Sequence, residues 1–174
     1  MQLTRTDRIL ATALVSLATV SVSLAVIAPA AAVQGQSQPF SLSIAGPEKA
    51  IAAGGTCDVS VTLTNVSGKP IPVRVTNGEE GAYKDFGVNV VSEPSGTVIK
   101  PIPLDARREM YSQYSSFRFK TLQPEESMFH TIHVCKLFDL SAPGTYKIQL
   151  RRDVPKEIGT GVVTSNTIKI TTVP

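Results

Sequence analysis

From Pro39 onward, hydrophobic and polar residues alternate with a period of two. Phe40, Leu42 and Ile44 are interleaved with Ser41 and Ser43, and Cys57, Val59, Val61 and Leu63 with Asp58, Ser60, Thr62 and Thr64. Tyr146, Ile148 and Leu150 alternate with Lys147, Gln149 and Arg151, and Ile168 and Ile170 with Thr167, Lys169 and Thr171. Successive strand residues point to opposite faces, so each run predicts a strand with one buried and one wet face. Less regular runs at 71–75, 86–91, 97–100, 117–121 and 128–134 predict further strands. Turn chemistry separates them: Asn65 to Pro70, Asn77-Gly78, Pro94-Ser95-Gly96 and Pro143-Gly144. Roughly seven to nine short strands with no helix between them predict an all-β, antiparallel sandwich. Its predicted core holds Phe40, Leu42, Val59, Val61, Leu63, Tyr146, Ile148, Leu150 and Ile168.

Residues 1–32 follow a different rule. Arg5 and Arg8 precede an apolar run from Ile9 to Ala28, interrupted only by Ser and Thr. Pro29 then breaks the run, and Ala30-Ala31-Ala32 supplies small residues suited to signal peptidase. The segment reads as a secretory signal peptide cut after Ala32, with residues 33–38 a short linker and 39–174 the folded domain. The competing reading is a membrane anchor through residues 9–28, since about 20 apolar residues can span a bilayer. No Cys follows the apolar run, which gives a lipoprotein anchor no support.

Composition narrows the class of partner. The 174 residues fit one domain, and 42% hydrophobic with 18% charged residues excludes a disordered or coiled-coil chain. Without residues 1–32 the chain carries 15 Lys+Arg against 13 Asp+Glu, a formal net charge of +2. A nucleic-acid binder needs a basic stripe with interleaved aromatics. Here Arg107-Arg108 and Arg151-Arg152 are isolated pairs that read as solvated surface, so no nucleic-acid partner is expected.

One stretch carries a family resemblance. Asp139 through Tyr146, followed by Lys147-Ile148-Gln149-Leu150, resembles the corner before strand F of an immunoglobulin-like sandwich. The resemblance gives Tyr146 the role of the corner tyrosine, bonding back across the turn. Ile148 stands where antibody domains place their second Cys, and the chain has no Trp, which excludes the antibody subclass. Thr56–Val66 and the turn Leu122–Ser127 are similar to bacterial secreted immunoglobulin-like modules, including cell-adhesion-related domains. A weaker likeness, through the Pro-Gly-Thr-Tyr corner, is to the bacterial intracellular proteinase inhibitor family. The resemblance spans residues 39–173 and implies fold more than role.

The even pair of cysteines in an exported chain predicts a disulfide. In the immunoglobulin-like arrangement Cys57 opens strand B and Cys135 closes its antiparallel neighbour E, at one end of the molecule. If Ile132 and Val134 face inward, Cys135 starts out facing away, and a twist at the strand end must bring it round.

Other chemistry is sparse. Met128, His130, His133 and Cys135 are residue types that bind copper, yet the two His stand three apart on opposite strand faces. No metal and no cofactor is therefore expected. Glu79, Glu80 and Asp85 gather in a Gly-rich turn without cation-loop spacing and read as solvated. No Gly-x-Ser-x-Gly occurs, and neither His has an evident Ser and Asp set, so no catalytic residue is expected. Asn65-Val66-Ser67 matches a glycosylation sequon.

The expected function is an exported, non-enzymatic binding or structural module of the envelope or extracellular space, with a protein or envelope component as partner. The alternatives are a proteinase-inhibitor-like sandwich acting through the 101–108 loop and a small periplasmic metal-binding protein. The expected binding surface lies between Pro94 and Pro124. Alternation stops from Ile102 to Ser116, while Arg107, Arg108, Tyr111 and Tyr114, with nearby Phe117 and Arg118, offer interface-type side chains. Arg107, Tyr111 and Tyr114 recur at the spacing of a short helix. Arg107, Arg108, Tyr111 and Tyr114 are the expected binding residues, with core plugging by Met110 and Tyr114 as the other reading.

Overall fold

The alternating runs become strands in a computed structural model that describes residues 38–76, 81–93, 95–103, 106 and 116–174. The signal segment, the linker through residue 37, Glu79, Glu80 and all four expected binding residues lie outside the described residues. Strand β1 (Phe40–Ala45), β3 (Asp58–Asn65) and β7 (Ser127–His133) form one antiparallel sheet in the order β1-β3-β7. A second sheet has the order β2-β9-β8-β5, with β2 (Ile51–Ala52), β5 (Gly87–Ser92), β8 (Gly144–Asp153) and β9 (Val162–Val173). Its one parallel pairing is the two-residue β2 against the end of β9. The inward residues of both sheets share one hydrophobic core, so the chain is an all-β sandwich. The third sheet is a ribbon of two strands, β4 (Ile71–Thr76) and β6 (Phe117–Leu122).

Eight of the nine expected core residues are buried, and Ile168 is half-buried. The reason lies in β9. Register shifts between Gln149 and Arg151, so one extra residue of β9 is accommodated. Inward positions change from Ile170 and Thr172 to Val163 and Ser165, and Ile168 borders that switch. Ser165 stitches the bulge, its hydroxyl accepting from Leu150 N (2.9 Å) and donating to Asn166 O (2.7 Å). Asn166 is thereby turned sideways onto β1, accepting from Ile44 N at 2.8 Å and donating to Ile44 O at 2.9 Å.

Three expectations need correction. Residues 97–100 form no strand. Gly96, at φ 66°, turns the chain so that Ser92 N and Thr97 O, and Ile99 N and Val90 O, bond along the edge of β5. The strand runs, expected to have no helix between them, are interrupted among the described residues by the single-turn helices α1 (Gly81–Asp85) and α2 (Val134–Leu137). The second shortens the 128–134 strand and resolves the cysteine geometry. A helical turn rotates successive side chains by about 100°, so Val134 enters the core while Cys135 swings to Cys57. The Cys57–Cys135 disulfide forms with Cα atoms 5.2 Å apart, next to the bond from Val134 N to Cys57 O.

The corner before β8 is held by three side chains. The Tyr146 hydroxyl donates to Ala142 O at 2.8 Å, and Thr172 donates to the same carbonyl at 2.7 Å. Upstream, Asp139 accepts from the amide and hydroxyl of Ser141, which holds its carboxyl below the usual range.

Candidate binding surface

The sandwich departs from an apolar core under the β4–β6 ribbon. On β8 the inward phase runs Tyr146, Ile148, Leu150, and its next member is Arg152, which is 6% exposed. Arg151 stays in water, so the pair expected to be solvated is split between two environments. The signal was present, since the period that buries Leu150 also buries Arg152. The Arg152 guanidinium donates to Arg74 O at 2.6 Å and lies 4.9 Å from the Phe86 ring centroid. On the same ring, His130 packs edge-on at 5.8 Å. Burial lowers the His130 pKa and the Arg152 charge lowers it further, with Asp85 opposing.

Asp85, at the end of α1, is the counter-charge. Its side chain is 1% exposed, and it accepts from Thr76 N (2.7 Å) and Thr76 Oγ1 (2.9 Å), with Arg74 Nε at 3.5 Å. The carboxylate expected to be solvated is therefore a buried brace. It fastens α1 to β4 and offsets two arginines. Burying a charge is tolerated where such partners compensate it.

Above this brace, β6 stands nearly free. Phe117 and Phe119 are 58% and 68% exposed and pack edge-on at 6.1 Å, with the Arg74 guanidinium 4.8 Å from the Phe117 ring. Residues 117–121 are exposed on both faces, and only Leu122 enters the core. Single exposed apolar residues are ordinary, but an adjoining aromatic pair beside a cation is the composition of a contact surface. The expected binding stretch, Pro94 to Pro124, includes this strand, and Phe117 and Arg118 were counted in it, but Phe119 and its pairing with Phe117 were passed over. The alternation Phe-Arg-Phe-Lys, apolar on one face and cationic on the other, was its signal.

The remaining chemistry-bearing residues are dispersed. Met128 and His130 face inward on β7, whereas His133 faces out and its Nδ1 pairs with Asp58 at 2.7 Å. Cys135 is spent in the disulfide. Beside it a cavity of about 390 Å³ is lined by residues including Gly55, Ile102, His133, Lys136 and Asp139. Among the described residues, no three His, Cys, Asp or Glu side chains gather as a metal site.

The sequon is committed to structure. Asn65 is fully buried, and its amide nitrogen donates to Lys69 O and Leu122 O, each at 2.9 Å. Its oxygen accepts from the Ser67 amide and hydroxyl. A glycan on this nitrogen would require unmaking the turn, so the folded domain does not present an acceptor here.

No family model matches the chain, and no curated protein matches it. Among solved structures, the CARDB domain of a Pyrococcus furiosus protein, in complex with di-metal ions, aligns at 16% identity and a TM-score of 0.42, over 77% of this chain and 87% of that one. The β-glucuronidase of Bacteroides uniformis aligns at 10% identity and a TM-score of 0.35, over 75% of this chain, which spans 13% of the enzyme. Neither likeness carries an argument about what this chain does.

Proposed function

We propose that the chain is an exported, non-enzymatic binding module of the cell envelope or extracellular space. It meets a protein or envelope component through the β4–β6 ribbon. The observation that carries this reading is the exposed Phe117–Phe119 pair under the Arg74 cation. The disulfide supports the compartment, because such bonds persist where the surroundings are oxidising. Among the described residues no helix is long and apolar enough to cross a membrane. The non-enzymatic reading is supported by where the reactive side chains go: Cys135 into a disulfide, His133 onto Asp58, His130 into the core. A photo-crosslinker in place of Phe119, in cells of the source organism, tests the reading. An adduct in the envelope or medium fraction is expected. A chain that stays in the cytosol, or forms no adduct, overturns it.

A further inference from the structure

We infer that β6 is an open strand edge that takes up an extended acidic segment of a partner protein as an added β-strand. This rests on the binding-module reading and specifies its partner. Strand edges invite pairing with other chains, and folded proteins usually close them. Here β1 is closed by the Asn166 amide on Ile44 and β5 by residues 97–99. The outer side of β4 is closed as well, with Thr76 N bonded to Asp85 and Arg74 O to Arg152.

The β4 closures fix which groups of β6 are open. Strand residues alternate in the side toward which their backbone bonds point. Since Arg74 and Thr76 bond away from β6, it is Ile71, Val73 and Val75 that bond toward it, through their partners Leu122, Lys120 and Arg118. Phe117, Phe119 and Thr121 therefore turn their own amides and carbonyls outward. Among the described residues nothing bonds to that outer side.

Charge selects the occupant. The two faces of β6 carry Phe117 and Phe119 on one side and Arg118 and Lys120 on the other. A second copy of β6 pairing here would set cation beside cation, which is unfavourable. An extended segment alternating apolar and carboxylate residues matches both faces. Lys120 already demonstrates the preference within the chain, binding Glu126 in the turn that follows β6 at 2.9 Å. Strand addition of this kind draws affinity from backbone bonds and specificity from alternate side chains.

The test titrates the chain with a fluorescent peptide of alternating valine and glutamate, its valine-lysine counterpart, and an acidic version N-methylated at alternate residues. The acidic peptide is expected to bind and to slow amide exchange at Phe117 and Phe119. The lysine and N-methylated peptides should bind about tenfold more weakly or worse, having lost the charge match or the backbone bonds. Thr121→Pro, which removes one outward amide, should weaken the acidic peptide similarly while leaving the urea midpoint unchanged. If that variant fails to fold, the N-methylated peptide decides alone. Equal binding of acidic and N-methylated peptides would overturn strand addition in favour of charge attraction. Binding to phosphatidylglycerol vesicles without peptide binding would identify a membrane surface as the occupant, and a dimer in sedimentation a second copy; either overturns the inference. A persistent envelope crosslink at position 119 that acidic peptide does not compete away would leave the binding module standing and remove the added strand.

Discussion

The β8–β9 ladder and the β4–β6 ribbon are both antiparallel strand pairs, but they are held by opposite means. Along β8, Tyr146, Ile148 and Leu150 are buried against the facing sheet, and the polar phase is in water. Up to Leu150 the ladder is held by its apolar face, with Ser165 satisfying the bulge beyond it. The ribbon buries Ile71, Val73, Val75 and Leu122, while the rest of β6 hangs in solvent. An isolated two-stranded ribbon is marginal in water. This one is braced from below by Asp85 and Arg152, side chains that occupy places where a third strand would bond. A charged brace is costlier to build than apolar packing, but it leaves the opposite edge open.

Mutation should expose the contrast. The largest effect is expected in the ladder: Ile148→Ala removes a fully buried side chain and should cost about 2–5 kcal/mol in urea unfolding. An unchanged midpoint would place Ile148 outside the core. Replacing Cys57 and Cys135 with Ser should cost about 2–4 kcal/mol, and thiol titration of the denatured, unreduced chain should find no free thiol. In the ribbon, Asp85→Ala leaves Arg152 buried without its counter-charge. The expected cost is about 2–3 kcal/mol, below the limit for a fully buried pair because Arg74 is half exposed. A neutral result would show that the brace is ornamental and the ribbon self-supporting.

Acid should act on the brace first. The folded-state pKa of His130 lies below its ordinary 6.5, because burial and then Arg152 disfavour its protonated form. The unfolded chain therefore binds more protons as pH falls past 6.5. The stability His130 contributes is present above that value and is lost as pH drops through the folded pKa. His130→Leu should retain stability between neutral pH and pH 5 better than wild type; equal pH slopes would remove His130 from the transition. The smallest effect is expected at the surface. Phe119→Thr should change stability by no more than about 0.5 kcal/mol while abolishing the envelope crosslink made from a neighbouring position. A larger loss would assign the aromatic pair to packing.

Much of the ladder was legible beforehand. Period-two alternation places Tyr146, Ile148 and Leu150 inside regardless of which strand they meet. The Pro143-Gly144 corner was legible too, and the Tyr146 bond to Ala142 closes it. The brace was less so. Asp85 sits after a Gly-rich stretch that reads as an exposed loop, and only the packing of α1 against β4 brings it to Thr76. Arg152 was misread because charge was weighed above phase.

The sequence by itself determined the alternation, the turns at 65–70 and 143–144 and the choice of Cys57 and Cys135 as a pair, because these rest on local periodicity and local chemistry; the helical turn that joins the cysteines did not show there. Tertiary structure alone decided which edges are closed. Asn166 reaches Ile44 across 122 positions and Arg152 reaches Arg74 across 78, and each depends on a bulge or a strand phase set elsewhere. An open edge is defined by what fails to arrive beside it. No local pattern records that, and so the outer side of β6 became visible as an edge only once the rest of the described chain had been placed.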